Sequence, residues 1–123
     1  RVMWIDTEDQ RNMKEDSVHI LRRLKGCTAC VCYNDEVANR LVAICLEQGI
    51  RVPEDLSITG MDNSNLTIYC EVPLTSAINP LDELGETAAE GILDLLKGKT
   101  VKQCMEFEPT LKVRRSVRML SSI

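Results

Sequence analysis

The sequence predicts an α/β fold with a mainly parallel β-sheet. Short apolar runs, which are typical of strands, alternate along the chain with segments in which apolar residues recur at helical spacing. Helices of about 10–15 residues between consecutive strands indicate βαβ units, which place neighbouring strands parallel. A length of 123 residues suits one domain, or one lobe of a larger domain.

The predicted strands are short apolar runs that end at polar residues. In chain order they are Val2–Ile5, Ala29–Tyr33, Leu56–Gly60 and Thr75–Ile78. The run Ala29–Tyr33 is continuously apolar, as expected for a parallel strand that is buried on both faces. Two C-terminal segments alternate apolar and polar residues, which predicts half-exposed or edge strands. These segments are Met105–Glu108 and Leu111–Val117.

Three helices are predicted from an apolar stripe and a glycine at the end. The first runs from about Met13 to Leu24, and the third from about Leu81 to Leu96. Asn34 is a favoured N-cap residue, so the second helix is expected to begin immediately after it. Glycine readily adopts the left-handed conformation that ends helices. The three glycines at these ends are Gly26, Gly49 and Gly98.

Composition and charge exclude several classes of protein. The content of 44% hydrophobic and 28% charged residues is that of a globular chain, not a disordered one. No apolar run approaches the ~20 residues that span a membrane. The net charge of −4 argues against direct binding of DNA phosphates by this segment. The first residues contain neither an initiator Met nor a signal peptide, so we expect a piece of a longer protein.

The six cysteines allow a disulfide, metal or thiol interpretation. The spacing Cys27-x-x-Cys30-x-Cys32 is the arrangement closest to a metal or redox site. It leads into a predicted strand, however, whereas a reactive pair favours a helix N-terminus. The only histidine, His19, lies within a predicted helix and is poorly placed as a fourth zinc ligand. We therefore interpret the cysteines as reduced structural thiols, which fits a cytoplasmic protein.

Polar residues follow each predicted strand, where open α/β sheets bind their ligands. These residues are Asp6, Thr7, Asn34, Asp35, Asp62, Asn63 and Asn79. Carboxylate and amide groups together offer the acceptors and donors that sugar hydroxyls need. The alternative is local: Asn34 only caps a helix, and Asp62 with Asn63 only forms an Asx turn. No phosphate loop, nucleophile elbow or cofactor motif indicates an enzyme.

Four sequence blocks in order resemble the effector-binding domain of LacI/GalR-type repressors. They are Cys32–Ala38, Gly49–Asp62, Pro73–Ser76 and Phe107–Ser116. The second contains Val-Pro-x-Asp-x-Ser-x-x-Gly-x-Asp, which is a specific string. The segments Tyr-Asn-Asp-Glu and Phe-Glu-Pro-x-Leu are most similar to the arabinose repressors, which join a GntR-type DNA-binding domain to a LacI-type sensor.

This resemblance implies a three-layer, parallel-sheet lobe of a periplasmic-binding-protein-like domain. Residues 1–123 would form the C-terminal part of that domain, and the helix over 81–97 would cross to the other, missing lobe. The effector would lie between the lobes. Asn34 and Asp62 would bind sugar hydroxyls, together with Asn79. Leu81 would offer an apolar contact to the sugar.

The resemblance also implies a sugar-responsive transcriptional repressor that acts as a homodimer. The expected partners are a monosaccharide such as L-arabinose and operator DNA, the latter only through an N-terminal domain outside this chain. No membrane and no cofactor is expected. The positions matching a family dimer interface are Asn39, Val42, Ala43, Leu66, Tyr69 and Cys70. Two alternatives remain: a transport-linked sugar-binding protein of the same fold, and a flavodoxin-like or redox enzyme.

Overall fold

The structure is a computed structural model that describes residues 17–120. In chain order its elements are α1 (Ser17–Leu24), β1 (Ala29–Val31), α2 (Asp35–Glu47), β2 (Ser57–Met61), α3 (Leu66–Tyr69), β3 (Thr75–Ile78), α4 (Leu81–Leu96) and β4 (Thr110–Lys112). The predicted strand Val2–Ile5 and the first residues of the predicted helix at Met13 lie outside the described range. The short helix α3 was not predicted from the sequence.

The four strands form one sheet in the order β1-β2-β3-β4. β1, β2 and β3 are parallel, and β4 pairs antiparallel with β3. The prediction of an α/β fold with a mainly parallel sheet is therefore confirmed. Because β1, β2 and β3 run in the same direction, their carboxyl ends lie at one edge of the sheet, where α2, the loop to α3 and α4 begin.

Among the described residues, one apolar core lies between one face of the sheet and the helices α1 and α2. Cys30 pairs with Ile58, and Gly60 with Ser76, so these residues share the face that α2 covers. Ile58 is fully buried, as are Ala38 and Cys45 on α2. The remaining core residues with low exposure are Ile20, Leu24, Cys32, Leu41, Val42, Ile44, Val52, Leu56 and Leu74. Burial of this one stripe explains the apolar periodicity of α2.

The opposite face of the sheet is only partly covered among the described residues: Ser57 and Thr75 on this face are buried, whereas its other strand positions are half-buried or exposed. Val31 on β1 is 80% exposed, and Met61 on β2 and Leu111 on β4 share its face and are exposed as well. The prediction that Ala29–Tyr33 is buried on both faces is therefore wrong for this part of the chain. A continuous apolar run indicates that both faces of a strand can be buried. Both faces are buried only where a layer of structure covers each face of the sheet.

The helix α4 has the predicted bounds, Leu81–Leu96. Pro80 precedes it, and Gly98 at φ +73° follows its end, where the Lys97 amide donates to the Leu93 carbonyl. No residue of α4 is buried. Its exposed apolar side chains are Leu81, Leu84, Ile92, Leu93, Leu95 and Leu96. The predicted exposure of this stripe is confirmed, and its packing against another lobe stays a prediction.

The C-terminal strands are fewer and shorter than predicted. Residues Met105–Glu108 form no strand, and pairing in the second segment is confined to β4. Beyond β4 the chain turns across the sheet end, where the Ser116 amide donates to the Pro73 carbonyl and the Ser116 carbonyl accepts from the Ile58 amide. The alternation of apolar and polar residues does not show whether a neighbouring strand is available for pairing. This explains why strands were predicted where none forms.

The core predicts a large difference between two apolar truncations on neighbouring strands. Ile58→Ala removes a fully buried side chain and should lower the free energy of unfolding by about 2–5 kcal/mol. Val31→Ala, at a position that is 80% exposed, is the matched control and should change it by less than about 0.5 kcal/mol. Urea denaturation followed by circular dichroism measures both. Equal effects would contradict the position of the core.

Candidate functional site

Asn34 ends the segment after β1 and caps α2. Its backbone is extended, and its side-chain Oδ1 accepts a hydrogen bond of 2.9 Å from the Val37 amide. This contact satisfies one of the free amide groups at the beginning of the helix. The side chain is half-buried. Capping uses the Oδ1 atom and leaves the Nδ2 group as a hydrogen-bond donor at the edge of the sheet.

Asp62 and Asn79 meet beyond the carboxyl ends of β2 and β3. Asp62 is exposed and Asn79 is half-buried, with Nδ2 of Asn79 3.5 Å from Oδ1 of Asp62. This distance is at the upper limit of a hydrogen bond, so both groups retain capacity for other partners. The Asp62 amide donates to the Ala77 carbonyl at 2.9 Å, which continues the pairing of the two strands. The structure therefore brings together two of the predicted residues.

Leu81 lies two residues beyond Asn79, at the first position of α4. Its amide donates to the Asn79 carbonyl at 2.8 Å, and its side chain is 68% exposed. This edge of the sheet thus carries the exposed carboxylate of Asp62, the carboxamide of Asn79 and the apolar side chain of Leu81. Among the residues that the structure describes, Asn34, Asp62, Asn79 and Leu81 all lie where β1, β2 or β3 ends.

A buried polar network behind this edge was missed by sequence reasoning. The Asp35 side chain is 1% exposed and accepts hydrogen bonds from the Ser64 amide at 2.7 Å and the Ser76 hydroxyl at 2.6 Å. Asp35 appeared in the sequence only as one of several polar residues at a strand end. One residue of the sequence, Gly60, could have indicated this buried carboxylate, because a Cβ atom at that position would overlap Oδ1 of Asp35.

The predicted dimer positions fall on α2, on α3 and just after α3. Tyr69 is 84% exposed, Leu66 is 41% exposed and Ala43 is also exposed, whereas Asn39 and Cys70 are half-buried. Val42 is 1% exposed and belongs to the core, so it offers no surface to a partner. Ile68, which is 59% exposed on α3, was not among the predicted residues.

The thiols of Cys30 and Cys32 interact beneath the helix-covered face. A hydrogen bond with Cys32 lowers the pKa of Cys30, and the same bond together with burial raises the pKa of Cys32. Burial is also the main cause that raises the pKa of Cys45 to about 11. A raised pKa leaves little thiolate at neutral pH, which suits a structural rather than a reactive role for Cys32 and Cys45.

Other features of residues 17–120 lie apart from the edge of the sheet. No three His, Cys, Asp or Glu side chains of this range converge as metal ligands would. A shallow cavity of about 260 Å³ lies between α1 and the approach to β2, lined by residues such as Leu21, Leu24 and Ile50. None of the predicted site residues lines it. Within the same range, no helix is long and apolar enough to cross a membrane.

The fold and the sequence place the chain in a known family. Residues 2–117 match the family model described as a periplasmic binding protein-like domain, which is almost the whole chain. The chain therefore belongs to the periplasmic-binding-protein-like domain family, and it resembles the members of that family found in LacI-type transcriptional regulators.

Two similar proteins are transcriptional repressors. The chain is 38% identical over 95 residues to the HTH-type transcriptional repressor PurR of Photobacterium profundum, covering 76% of this chain and 28% of the relative. It is 38% identical over 93 residues to the arabinose metabolism transcriptional repressor of Geobacillus stearothermophilus, covering 74% and 26%. The chain thus spans less than a third of the length of these two relatives.

A solved structure confirms the fold. The lac repressor dimer bound to operator and the anti-inducer ONPF superposes with a TM-score of 0.76 at 26% sequence identity. The match covers 86% of this chain and 38% of that chain. The expected LacI-type fold is therefore confirmed.

The thiol environments predict an order of alkylation. Cys104 is exposed and should react first with iodoacetamide at pH 8, whereas Cys32 and Cys45 should react only after unfolding. Their raised pKa values and burial both oppose reaction. Mass spectrometry of peptides over a time course gives the order of reaction. A sample unfolded in about 6 M guanidinium, in which every cysteine is accessible, is the control. Early labelling of Cys45 would contradict the described packing.

Proposed function

We propose that this chain is part of the effector-binding domain of a transcriptional repressor, and that a monosaccharide such as L-arabinose binds at the carboxyl ends of β1–β3. The observation that carries the proposal is the meeting of Asp62 and Asn79 at this edge, with Nδ2 and Oδ1 3.5 Å apart. Ligands of open α/β sheets bind at this position. The similarity to an arabinose metabolism repressor supports a sugar in particular.

The chemistry of the edge suits a polyhydroxylated ligand. The exposed Asp62 carboxylate accepts hydrogen bonds from neighbouring hydroxyls, and the amides of Asn79 and Asn34 donate them. Leu81, exposed at the start of α4, contacts the apolar face of the sugar ring. We assign no catalytic residue, because these groups recognise hydroxyls and include no activated nucleophile.

Regulation in this proposal requires a second lobe, a second copy and a DNA-binding domain. The sugar closes the two lobes, and α4, with its exposed apolar stripe, packs on the lobe outside this chain. The surface formed by Asn39, Ala43, Leu66, Tyr69 and Cys70 pairs two copies. Operator DNA is bound by an N-terminal domain, which agrees with the net charge of −4 of this chain. The solved lac repressor structure, a dimer on operator, supports this arrangement.

Two substitutions test the sugar site without disturbing the local backbone. Asp62 has φ +92°, so Asp62→Asn is chosen because Asn tolerates positive φ. Asn34→Ser keeps a capping oxygen for the Val37 amide but removes the carboxamide donor. In the complete protein, Asp62→Asn should weaken L-arabinose binding by about 10–150-fold, the loss expected for a charge-assisted hydrogen bond. Asn34→Ser should weaken it by about 2–10-fold.

Isothermal titration calorimetry measures the dissociation constants, and thermal unfolding checks the fold. Glu54→Gln is the matched control, because Glu54 is an exposed carboxylate just before β2, at the opposite edge of the sheet. It should leave the affinity unchanged. Wild-type protein that binds neither L-arabinose nor other pentoses, hexoses, sugar phosphates or purines would refute the proposed ligand class. Binding that both site variants retain in full would refute the proposed site.

The proposed dimer surface predicts a change in assembly. Tyr69→Asp places a charge where an exposed aromatic side chain would be buried, and should raise the dimer dissociation constant at least about tenfold. Val18→Asp, on α1 at a position that is 66% exposed, is the control and should leave it unchanged. Sedimentation equilibrium of the complete protein measures both. An unaltered dimer in Tyr69→Asp would remove α3 from the interface.

A further inference from the structure

The loop that carries Asp62 has an unusual backbone. Asp62 has φ +92° and Asn63 has φ +50°, so two consecutive residues with side chains adopt positive φ. Non-glycine residues populate this region sparsely, and such conformations persist where surrounding contacts determine them. The direction of the Asp62 carboxylate depends on this backbone. The contacts that hold the loop therefore also set the geometry of the proposed site.

Three successive amides of this loop donate to partners in the body of the fold. The Asp62 amide donates to the Ala77 carbonyl at 2.9 Å and the Asn63 amide to the Ser76 hydroxyl at 3.0 Å. The Ser64 amide donates to Oδ2 of Asp35 at 2.7 Å. The Ser76 hydroxyl in turn donates to Oδ1 of Asp35 at 2.6 Å. Asp35 is thus bonded to the Ser64 amide directly and to the Asn63 amide through Ser76.

Asp35 does more than stabilise the beginning of α2. A carboxylate in the first turn of a helix interacts favourably with the helix dipole while it remains in solvent. Asp35 is instead 1% exposed, and both of its oxygens accept hydrogen bonds from residues 29 and 41 positions away. Gly60 leaves the space for this approach, because a Cβ atom there would overlap Oδ1. Burial of a carboxylate is costly without such partners, so the contacts determine where it lies.

We propose that Asp35 is a positioning residue for effector binding: it holds the Asp62–Ser64 loop through the Ser64 amide and the Ser76 hydroxyl, and does not touch the effector. The binding part of this inference rests on the proposed function of Asp62. The loop-holding part does not, because it concerns the protein without ligand. Arg114 supports the loop from the other side, with a bond of 2.6 Å to Oδ1 of Asn63.

The test combines a ligand-free and a ligand-bound measurement on the complete protein. Asp35→Asn keeps the volume but replaces one acceptor oxygen with a donor, and Ser76→Ala removes the hydroxyl bridge. Hydrogen–deuterium exchange of the Asn63 and Ser64 amides should be about tenfold faster in both variants. The dissociation constant for L-arabinose should rise by about tenfold. Exchange in α2 and β2 should remain as in the wild type.

Ser116→Ala is the matched control for loss of a buried hydroxyl. Ser116 is as fully buried as Ser76, and its hydroxyl donates to the Ile58 carbonyl and accepts from the Thr75 amide, away from the loop. This variant should lose stability without faster exchange at Asn63 and without weaker binding. A double substitution adds a second criterion: if Asp35 acts through Asp62, Asp35→Asn should weaken binding much less in the Asp62→Asn background.

The outcomes separate the inference from the proposed function. The inference is overturned if amide exchange at Asn63 and Ser64 is unchanged in both Asp35→Asn and Ser76→Ala, whatever the binding measurement shows. The positioning role is overturned if the two variants show faster exchange but Ser116→Ala loses as much affinity for the sugar as they do. A wild-type protein that binds no sugar refutes the proposed effector, and the exchange measurement then still decides whether Asp35 holds the loop.

Discussion

The parallel pairing of β2 with both of its neighbours is the constraint on which the rest of the structure depends. It requires a covering helix between β1 and β2, and α2 fulfils this by burying Ala38 and Cys45 against Ile58. It also brings three carboxyl ends to one edge. Asp62 and Asn79 are separated by 17 residues in the chain and meet because their strands are adjacent. The core and the proposed site thus have the same origin.

The elements that were predicted correctly from the sequence are those whose bounds depend on neighbouring residues in the chain. α4 and β3 have the predicted bounds, because Pro80 and Gly98 punctuate the chain and the apolar period between them is clear. The Asn34 cap is equally local. The short helix α3, over Leu66–Tyr69, is too brief for periodicity to reveal. Burial of β1 was mispredicted since it depends on a covering layer rather than on the strand itself.

The same distinction applies to the site. The ends of strands can be located in a sequence, so Asp62 and Asn79 of the proposed site were predicted by a geometric rule, and Leu81 was predicted from the resemblance. Asp35, Ser76 and Arg114 were not assigned their roles, because their contacts with one another or with the loop span 13 to 51 residues. A carboxylate after a helix cap has the same sequence pattern whether it remains in solvent or turns inward. Only the register of β2 and β3 decides between these positions.

The energetics of the loop explain why so many distant groups converge on it. Two consecutive positive-φ residues cost about 1–3 kcal/mol each, or about 2–6 kcal/mol together. Four hydrogen bonds hold the loop, three from its amides and one to the Asn63 side chain. Two of these bonds join neutral groups, at about 0.5–1.5 kcal/mol each, and two involve the charged Asp35 and Arg114, at about 1.5–3 kcal/mol each. Together they return about 4–9 kcal/mol, which is of the same order as the cost. Because the gain is of the same order as the cost, the orientation of Asp62 depends on these bonds together, and therefore on the packing of α2, β3 and the segment after β4.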